Sequence, residues 1–180
     1  MVGRVAAQAG AVSLSLLEVG AGSGDVPYAA RLSLQKNGIR LETTLLDRAR
    51  SHLARNGSRS VVGDALALPF ADGSFDLVSC ALFAHHLEPD DLVNFVNGAL
   101  RVCRRAVLIN DLVRSRLHLA LVYAGLPLYR SRLTRHDGPA SVRQAYTPAE
   151  MRALLERTVA ARIETDRHYL CRMGVIAWKK

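Results

Sequence analysis

An apolar run, Leu14, Leu16, Leu17 and Val19, carries Glu18 near its end and passes straight into glycines at 20, 22 and 24. Such a run predicts a buried parallel strand, and the glycines let the backbone turn sharply at its carboxyl end. Without a Cβ at Gly20, Gly22 and Gly24, a ligand can lie directly against the main chain. The residues that follow predict a helix: Asp25 as its cap, Pro27 in its first turn, and Gly38 just past its end. Strand, glycine loop and helix in this order describe a cofactor loop at the edge of an α/β sheet.

The spacing decides among cofactors. A dinucleotide fingerprint needs Gly-x-Gly-x-x-Gly, and its third glycine falls on Asp25. A phosphate-cradling loop needs Gly-Lys-Ser/Thr, and this segment has no lysine. What remains, acidic-x-Gly-x-Gly-x-Gly, resembles the first motif of class I S-adenosylmethionine (SAM) dependent methyltransferases, with Glu18, Gly20, Gly22 and Gly24 at the matching positions. SAM carries an ammonium and a sulfonium but no phosphate, so a carboxylate beneath the loop suits it better than an anion nest.

Two more acids stand at predicted strand ends. Leu41–Leu46 reads as a second strand ending at Asp47, about twenty residues after the loop, where ribose hydroxyls need an acceptor. Val61–Ala65 reads as a third, carrying Asp64. The segment Leu66-Ala67-Leu68-Pro69-Phe70-Ala71-Asp72-Gly73-Ser74-Phe75-Asp76-Leu77-Val78 resembles the same family's loop into its fourth strand. The resemblance implies that Asp64 receives the adenine amino group and that the amide of Ala65 contacts the ring. It implies cofactor contacts at Glu18, Gly20, Ala21, Gly22, Gly24, Asp47, Arg48, Asp64, Ala65 and Cys80. A lone strand-end aspartate is more often a helix cap; three acids in register with a glycine loop point to SAM binding.

The remaining periodicities fill in a doubly wound sheet. A short helix is expected around Arg48–Asn56, strand four at Phe75–Cys80, and a helix from about Glu88 with Leu92, Phe95, Val96, Ala99 and Leu100 inward. Strand five is expected at Ala106–Asn110, followed by a long apolar helix over Asp111–Leu128. Thr147-Pro148-Ala149-Glu150 spells a capping box for a helix carrying Met151, Leu154 and Leu155. Ala161–Thr165 and Met173–Trp178 read as closing strands. The fold implied is α/β, Rossmann-like, with a mostly parallel sheet and a reversed edge strand. One domain over 1–180 is expected, with 1–12 as a lead-in without a role and 111–146 as a substrate-side insert. The resembled family usually closes over SAM with helices before the first strand; here twelve residues precede Ser13. That implies a shortened product, an open pocket, or a domain completed by a partner.

Composition bounds the function. At 180 residues, 49% of them apolar, the chain can bury a substantial core. The longest apolar stretch, Leu117–Leu128, is too short to span a bilayer and contains a glycine and a proline. No charged-then-apolar signal segment opens the chain. Cys80, Cys103 and Cys171 are scattered, which argues for a reducing, cytoplasmic compartment and against structural zinc. The net charge of +8 is almost all arginine, spread along the chain, with its main cluster at Arg130–Arg135 and no aromatic-interleaved stripe for stacking bases. A generally basic surface is favoured over a nucleic-acid footprint.

The end of strand four normally faces the transferred methyl, and here it reads Ser79-Cys80-Ala81-Leu82-Phe83-Ala84-His85-His86-Leu87. It lacks the Asn/Asp-Pro-Pro-aromatic motif of enzymes that methylate base amino groups. His85 or His86 can take a proton near neutrality; either can equally cap or pack the next helix. Asn110-Asp111 invites a metal, but the other acidic ligands have no counterpart, so no metal is expected. The segments 110–116, 131–139 and 141–148 resemble a subgroup of bacterial small-molecule methyltransferases often encoded beside type III polyketide synthases. The resemblance implies a phenolic, polyketide or quinone-like acceptor, with Arg135, His136 and Tyr146 near it and Leu117–Leu128 lining its pocket or packing on the sheet. Two alternatives stand beside this reading: an RNA or protein methyltransferase whose arginines converge on the pocket mouth, and a non-catalytic binding module. Oligomeric state is left open.

Overall fold

The computed structural model describes residues 1–53, 58–126, 132–168 and 171–180, with side chains from 136 onward in the third segment. In chain order the elements are α1 (Val2–Gln8), β1 (Ser13–Val19), α2 (Asp25–Gln35), β2 (Arg40–Asp47), β3 (Arg59–Val62), β4 (Phe75–Ala81) and a 3-10 turn (Ala84–His86). Then come α3 (Pro89–Val102), β5 (Cys103–Leu112), α4 (Arg116–Gly125), α5 (Arg132–Gln144), α6 (Pro148–Leu155), β6 (Arg162–His168) and β7 (Arg172–Trp178). The strands form one seven-stranded sheet in the order β3-β2-β1-β4-β5-β7-β6. β1 to β5 run parallel, and β7 is antiparallel to both β5 and β6. This is the Rossmann-like, mostly parallel sheet expected, reversed strand included.

Alternation along the strands assigns side chains to two layers. Leu17, Val19, Val78, Cys80, Val107 and Ile109 pack with Phe95, Val96 and Ala99 of α3 and with Met151 and Leu155 of α6. Leu14, Leu16, Leu77 and Leu108 face the other way, onto Val5 and Ala6 of α1 and Leu34 of α2. The expected featureless lead-in is therefore a helix that seals one face of the core: Val5 and Ala6 are fully buried. Its two buried positions are too few for a periodic signal.

Other expectations shift. Gly24, left-handed at φ 76°, caps α2, and Asp25 is the first helical residue with its carboxylate taken by the Ser23 hydroxyl at 2.6 Å. Arg48–Leu53 is bend and turn where a helix was expected, and residues 54–57 of that reading lie outside the described residues. β3 stops at Val62, two residues short of Asp64, and β5 runs on through Asp111 to Leu112, so the helix expected from Asp111 starts only at Arg116. Antiparallel pairing of Asn110, Asp111 and Leu112 with β7 overrides their local helical pattern. The Thr147 capping box forms as the sequence spells it, both hydrogen bonds present.

At the amino-terminal edge of the sheet, Asp76 ties three strands. Its carboxylate accepts from the Ser15 amide at 2.9 Å, the Ser15 hydroxyl at 2.7 Å and Arg104 Nε at 3.1 Å, with Arg105 at 3.5 Å. Burial opposes its ionisation, yet the hydrogen bonds from Arg104 and Ser15 outweigh it and hold the pKa at about 2. A depressed carboxylate stabilises the fold above its unfolded value and loses that contribution as pH falls through its folded value. Asp76→Asn is therefore expected to cost about 2 kcal/mol near neutrality, and the gap to the parent should close on acidification towards pH 2. Urea denaturation at several pH values measures both; a gap independent of pH contradicts the assignment.

Candidate active site

The carboxyl ends of β1, β2 and β4 meet around the glycine loop. Ala21 N–H donates to the Leu46 carbonyl at 3.1 Å and Gly22 N–H to Asp47 Oδ2 at 3.0 Å, so the loop is pinned to the end of β2. Asp47 Oδ1 accepts from the Ala49 amide at 2.9 Å, with His52 at 3.3 Å. Gly20 and Gly22 are both left-handed, at φ 63° and 51°, but their missing Cβ atoms serve different ends. A Cβ at Gly22 meets nothing within 4 Å, which leaves open backbone for a ligand; one at Gly20 strikes the Phe83 ring at 2.4 Å. Sequence reasoning gave all the glycines to the ligand, whereas Phe83, edge-on to Phe95 at 5.7 Å, occupies the space over Gly20.

Glu18 lies opposite Ser79 in the parallel register and accepts a short hydrogen bond from its hydroxyl. The carboxyl is 3% exposed, on the α1/α2 face, beside a cavity of about 340 Å3 lined by Val26, Pro27, Ala81 and Asn110 as well as residues 1–3. Asn110 Oδ1 is buried and unpartnered there. Burial raises the Glu18 pKa to about 7 against the opposing effect of Ser79. The Cys80 thiol points into the other layer, and burial pushes its pKa well up. Asp64 accepts from the Leu66 amide at 3.0 Å, and Ala65 follows in a turn. Arg48 stands in the bend just after Asp47. A larger concavity of about 1020 Å3, lined by Arg31, Arg40, Glu42, Arg59 and Arg104, lies at the opposite, amino-terminal edge and away from this loop.

Across the edge from the loop, sequence reasoning missed a pairing. Asp111 is 1% exposed; its Oδ1 meets His85 Nδ1 at 2.7 Å and its Oδ2 accepts from the His85 amide at 2.9 Å. Leu112 N–H adds a third bond at 2.7 Å. The contact assigns the Nδ1–H tautomer to neutral His85, leaving Nε2 as the acceptor nitrogen. His86 stacks on His85 with ring centroids 4.1 Å apart and is exposed; desolvation first, then His85, lowers its pKa. Leu82, non-glycine at φ 54°, makes the turn that carries Phe83 and His85 to their places. The one available signal was the notional metal pair Asn110-Asp111, whose aspartate is taken by His85.

The acceptor-side expectations separate. Tyr146 is buried and donates its hydroxyl to the Leu87 carbonyl at 2.6 Å, which makes it a tie between the α5–α6 link and the histidine turn. His136 is 88% exposed and meets Asp137 at 3.4 Å. Arg135 lies on α5 with its side chain outside the described residues. Among the described residues no cluster of metal-ligating side chains exists.

Comparison with known proteins places this geometry. Residues 17–109 match the family model described as a methyltransferase domain. The fold is shared with the YcgJ protein of Bacillus subtilis at 16% identity and TM-score 0.63, covering 94% of this chain and 93% of that one. Magnesium protoporphyrin IX methyltransferase from Synechocystis PCC 6803, solved with bound S-adenosylhomocysteine (SAH), aligns at 14% identity and TM-score 0.63, covering 99% and 80%. The plantazolicin methyltransferase BpumL, solved with a pentazolic analogue and SAH, aligns at 13% identity and TM-score 0.67, covering 93% and 77%.

A buried acid with a raised pKa destabilises the fold once it must ionise, so stability falls between the unfolded pKa near 4.5 and the folded value of about 7. Glu18→Gln should remove that slope and gain on the order of 2 kcal/mol relative to the parent above about pH 7, with little difference near pH 4. Parallel melting curves across that range decide it; identical slopes in both proteins refute it. The carboxylate-floored, open glycine loop and the family match agree, and the chain belongs to the class I SAM-dependent methyltransferases.

Proposed function

We propose that this enzyme methylates a small-molecule acceptor through an ionisable O–H or N–H group, on a phenolic, polyketide or quinone-like skeleton. The observation that carries this reading is the buried His85–Asp111 pair at the edge where the glycine loop opens. Structural neighbours named for magnesium protoporphyrin IX and plantazolicin support a small-molecule acceptor. On the reading as an RNA methyltransferase the arginines should ring the cofactor loop; Arg31, Arg40, Arg59 and Arg104 line a concavity at the opposite edge, while Arg114, Arg116 and Arg143 lie beyond the end of β5.

When bound, SAM supplies a methyl group already activated by its sulfonium. Gly22 offers bare backbone to it, Asp47 offers carboxylate lone pairs for ribose hydroxyls, Asp64 and Ala65 serve the adenine, and Glu18 places negative charge under the loop. His85 Nε2 takes the acceptor proton, and Asp111 stabilises the resulting imidazolium and fixes the ring. His86, kept neutral, covers the outer face of that ring. Proximity and exclusion of water account for the remainder. Residues 111–146 form the acceptor side of a single domain, and a cytoplasmic location belongs to the same proposal.

Calorimetric titration with SAH, with NAD as control, tests the cofactor first. Asp47→Asn should weaken SAH at least roughly tenfold, since both ribose hydroxyls lose a charged acceptor. With phenolic and quinone acceptors, Asp111→Asn should lower kcat by about 100-fold or more with SAH affinity unchanged, the scale of lost acid–base catalysis. Equal turnover in Asp111→Asn and the parent removes the base while leaving SAM binding in place.

A further inference from the structure

We propose that α4 docks this protein onto the surface of an anionic phospholipid membrane. The outward side of α4 is apolar along its whole length. Leu117, Ala120, Leu121 and Ala124 recur at helical spacing and all are exposed, Leu117 at 55% and Leu121 at 47%. The opposite side is already occupied: His118 is buried against the Val113 carbonyl at 2.9 Å, and Val122 lies close to Gly138 of α5. α3 and α6 follow the ordinary rule, while α2 exposes Val26 and Leu32 beside Asp25, Ser33 and Gln35. α3 exposes Asn94 and Arg101, and α6 exposes Arg152, which pairs with Glu156. A solvent-facing stripe without a polar residue is the feature that marks an interaction surface.

Charge selects the occupant. The one charged residue of α4 is Arg116, at its first position, and it borders a cavity of about 310 Å3 also lined by Arg114, Arg143, Leu119 and Val142. Arg114 pairs with Glu150, and Arg143 donates to the Tyr123 hydroxyl with its guanidinium 5.7 Å from that ring. Arginines around an apolar floor, at the foot of an apolar stripe and on a chain of net charge +8, match a lipid phosphate above acyl chains. A second copy is a poorer match. A ten-residue helix is about 15 Å long and about 10 Å wide, far short of the roughly 800 Å2 per partner of a stable protein interface. Shallow insertion between headgroups needs no complementary partner surface. Among the described residues no helix is long and apolar enough to cross a membrane, so docking is peripheral.

Sedimentation of the full chain with vesicles is the test. Vesicles of phosphatidylcholine with phosphatidylglycerol should carry the protein down, phosphatidylcholine alone should not, and added salt should release it. Leu117→Ser/Leu121→Ser should lower the vesicle partition about tenfold through lost apolar burial. Arg116→Gln should lower it about fivefold on anionic vesicles. Melting temperature and SAH affinity should hold in both variants, which separates this outcome from any failure of the methyltransferase reading. No binding to anionic vesicles, equal binding by parent and variants, or a dimer in sedimentation velocity that the leucine variant dissociates, overturns the proposal.

Discussion

The Asp111 carboxylate is buried at the carboxyl edge of the sheet, where an unsatisfied charge costs several kcal/mol. Three hydrogen bonds answer that cost: two from His85, through its amide and its ring, and one from Leu112. Because His85 sits on the turn after β4 and Asp111 on β5, the bonds fix the height of that turn above the sheet. Leu82 N–H reaches the Asn110 carbonyl at 2.9 Å, and Tyr146 holds Leu87 from the other side. The left-handed Leu82 is tolerated because its neighbours over-determine it. Phe83 is then delivered over Gly20, so the wall of the site and its glycine floor are set by one buried charge.

The two edges of the sheet divide their work. At the amino-terminal edge Arg104, Arg105 and the Ser15 donors surround Asp76, and the acid is held ionised. At the carboxyl edge Glu18 has a neutral partner, Ser79, and sits at the margin of ionisation near pH 7. Both acids stand within or beside the same strand pair. The difference is the cation: a guanidinium lowers a buried carboxyl, while a hydroxyl does not fully offset desolvation. On the proposed reading, the carboxyl at the carboxyl edge, which lacks a guanidinium partner, is the one a cationic ligand would meet.

What the sequence made legible was local. The strand and glycine turn at Ser13–Gly24, Asp47 at the end of β2 and the capping box at Thr147 all rest on spacing within a few residues. What it concealed was long-range. His85 and Asp111 are 26 positions apart and look, in sequence, like a candidate base or helix cap and a spare metal ligand. The Gly20–Phe83 contact joins two loops, and only three dimensions show that a glycine serves an aromatic ring there. α1 was passed over because two buried side chains, Val5 and Ala6, give no periodicity to read. β5 outran its expected end because pairing with β7 supplies hydrogen bonds that local propensity does not count.

The family match stops at residue 109, two positions before Asp111. Up to that point the chain builds a strand, a glycine loop, and acids at or just beyond the strands that follow. Past it come the carboxylate that holds His85, the apolar α4 and the helix α5 packed against the histidine turn. Asp111 therefore stands at a junction, chemically part of the earlier half through His85 and covalently part of the later one. On the proposed reading a change of acceptor can be accommodated by α4 and α5 while the sheet stays fixed. A change at Asp111 cannot, because it alters both halves at once.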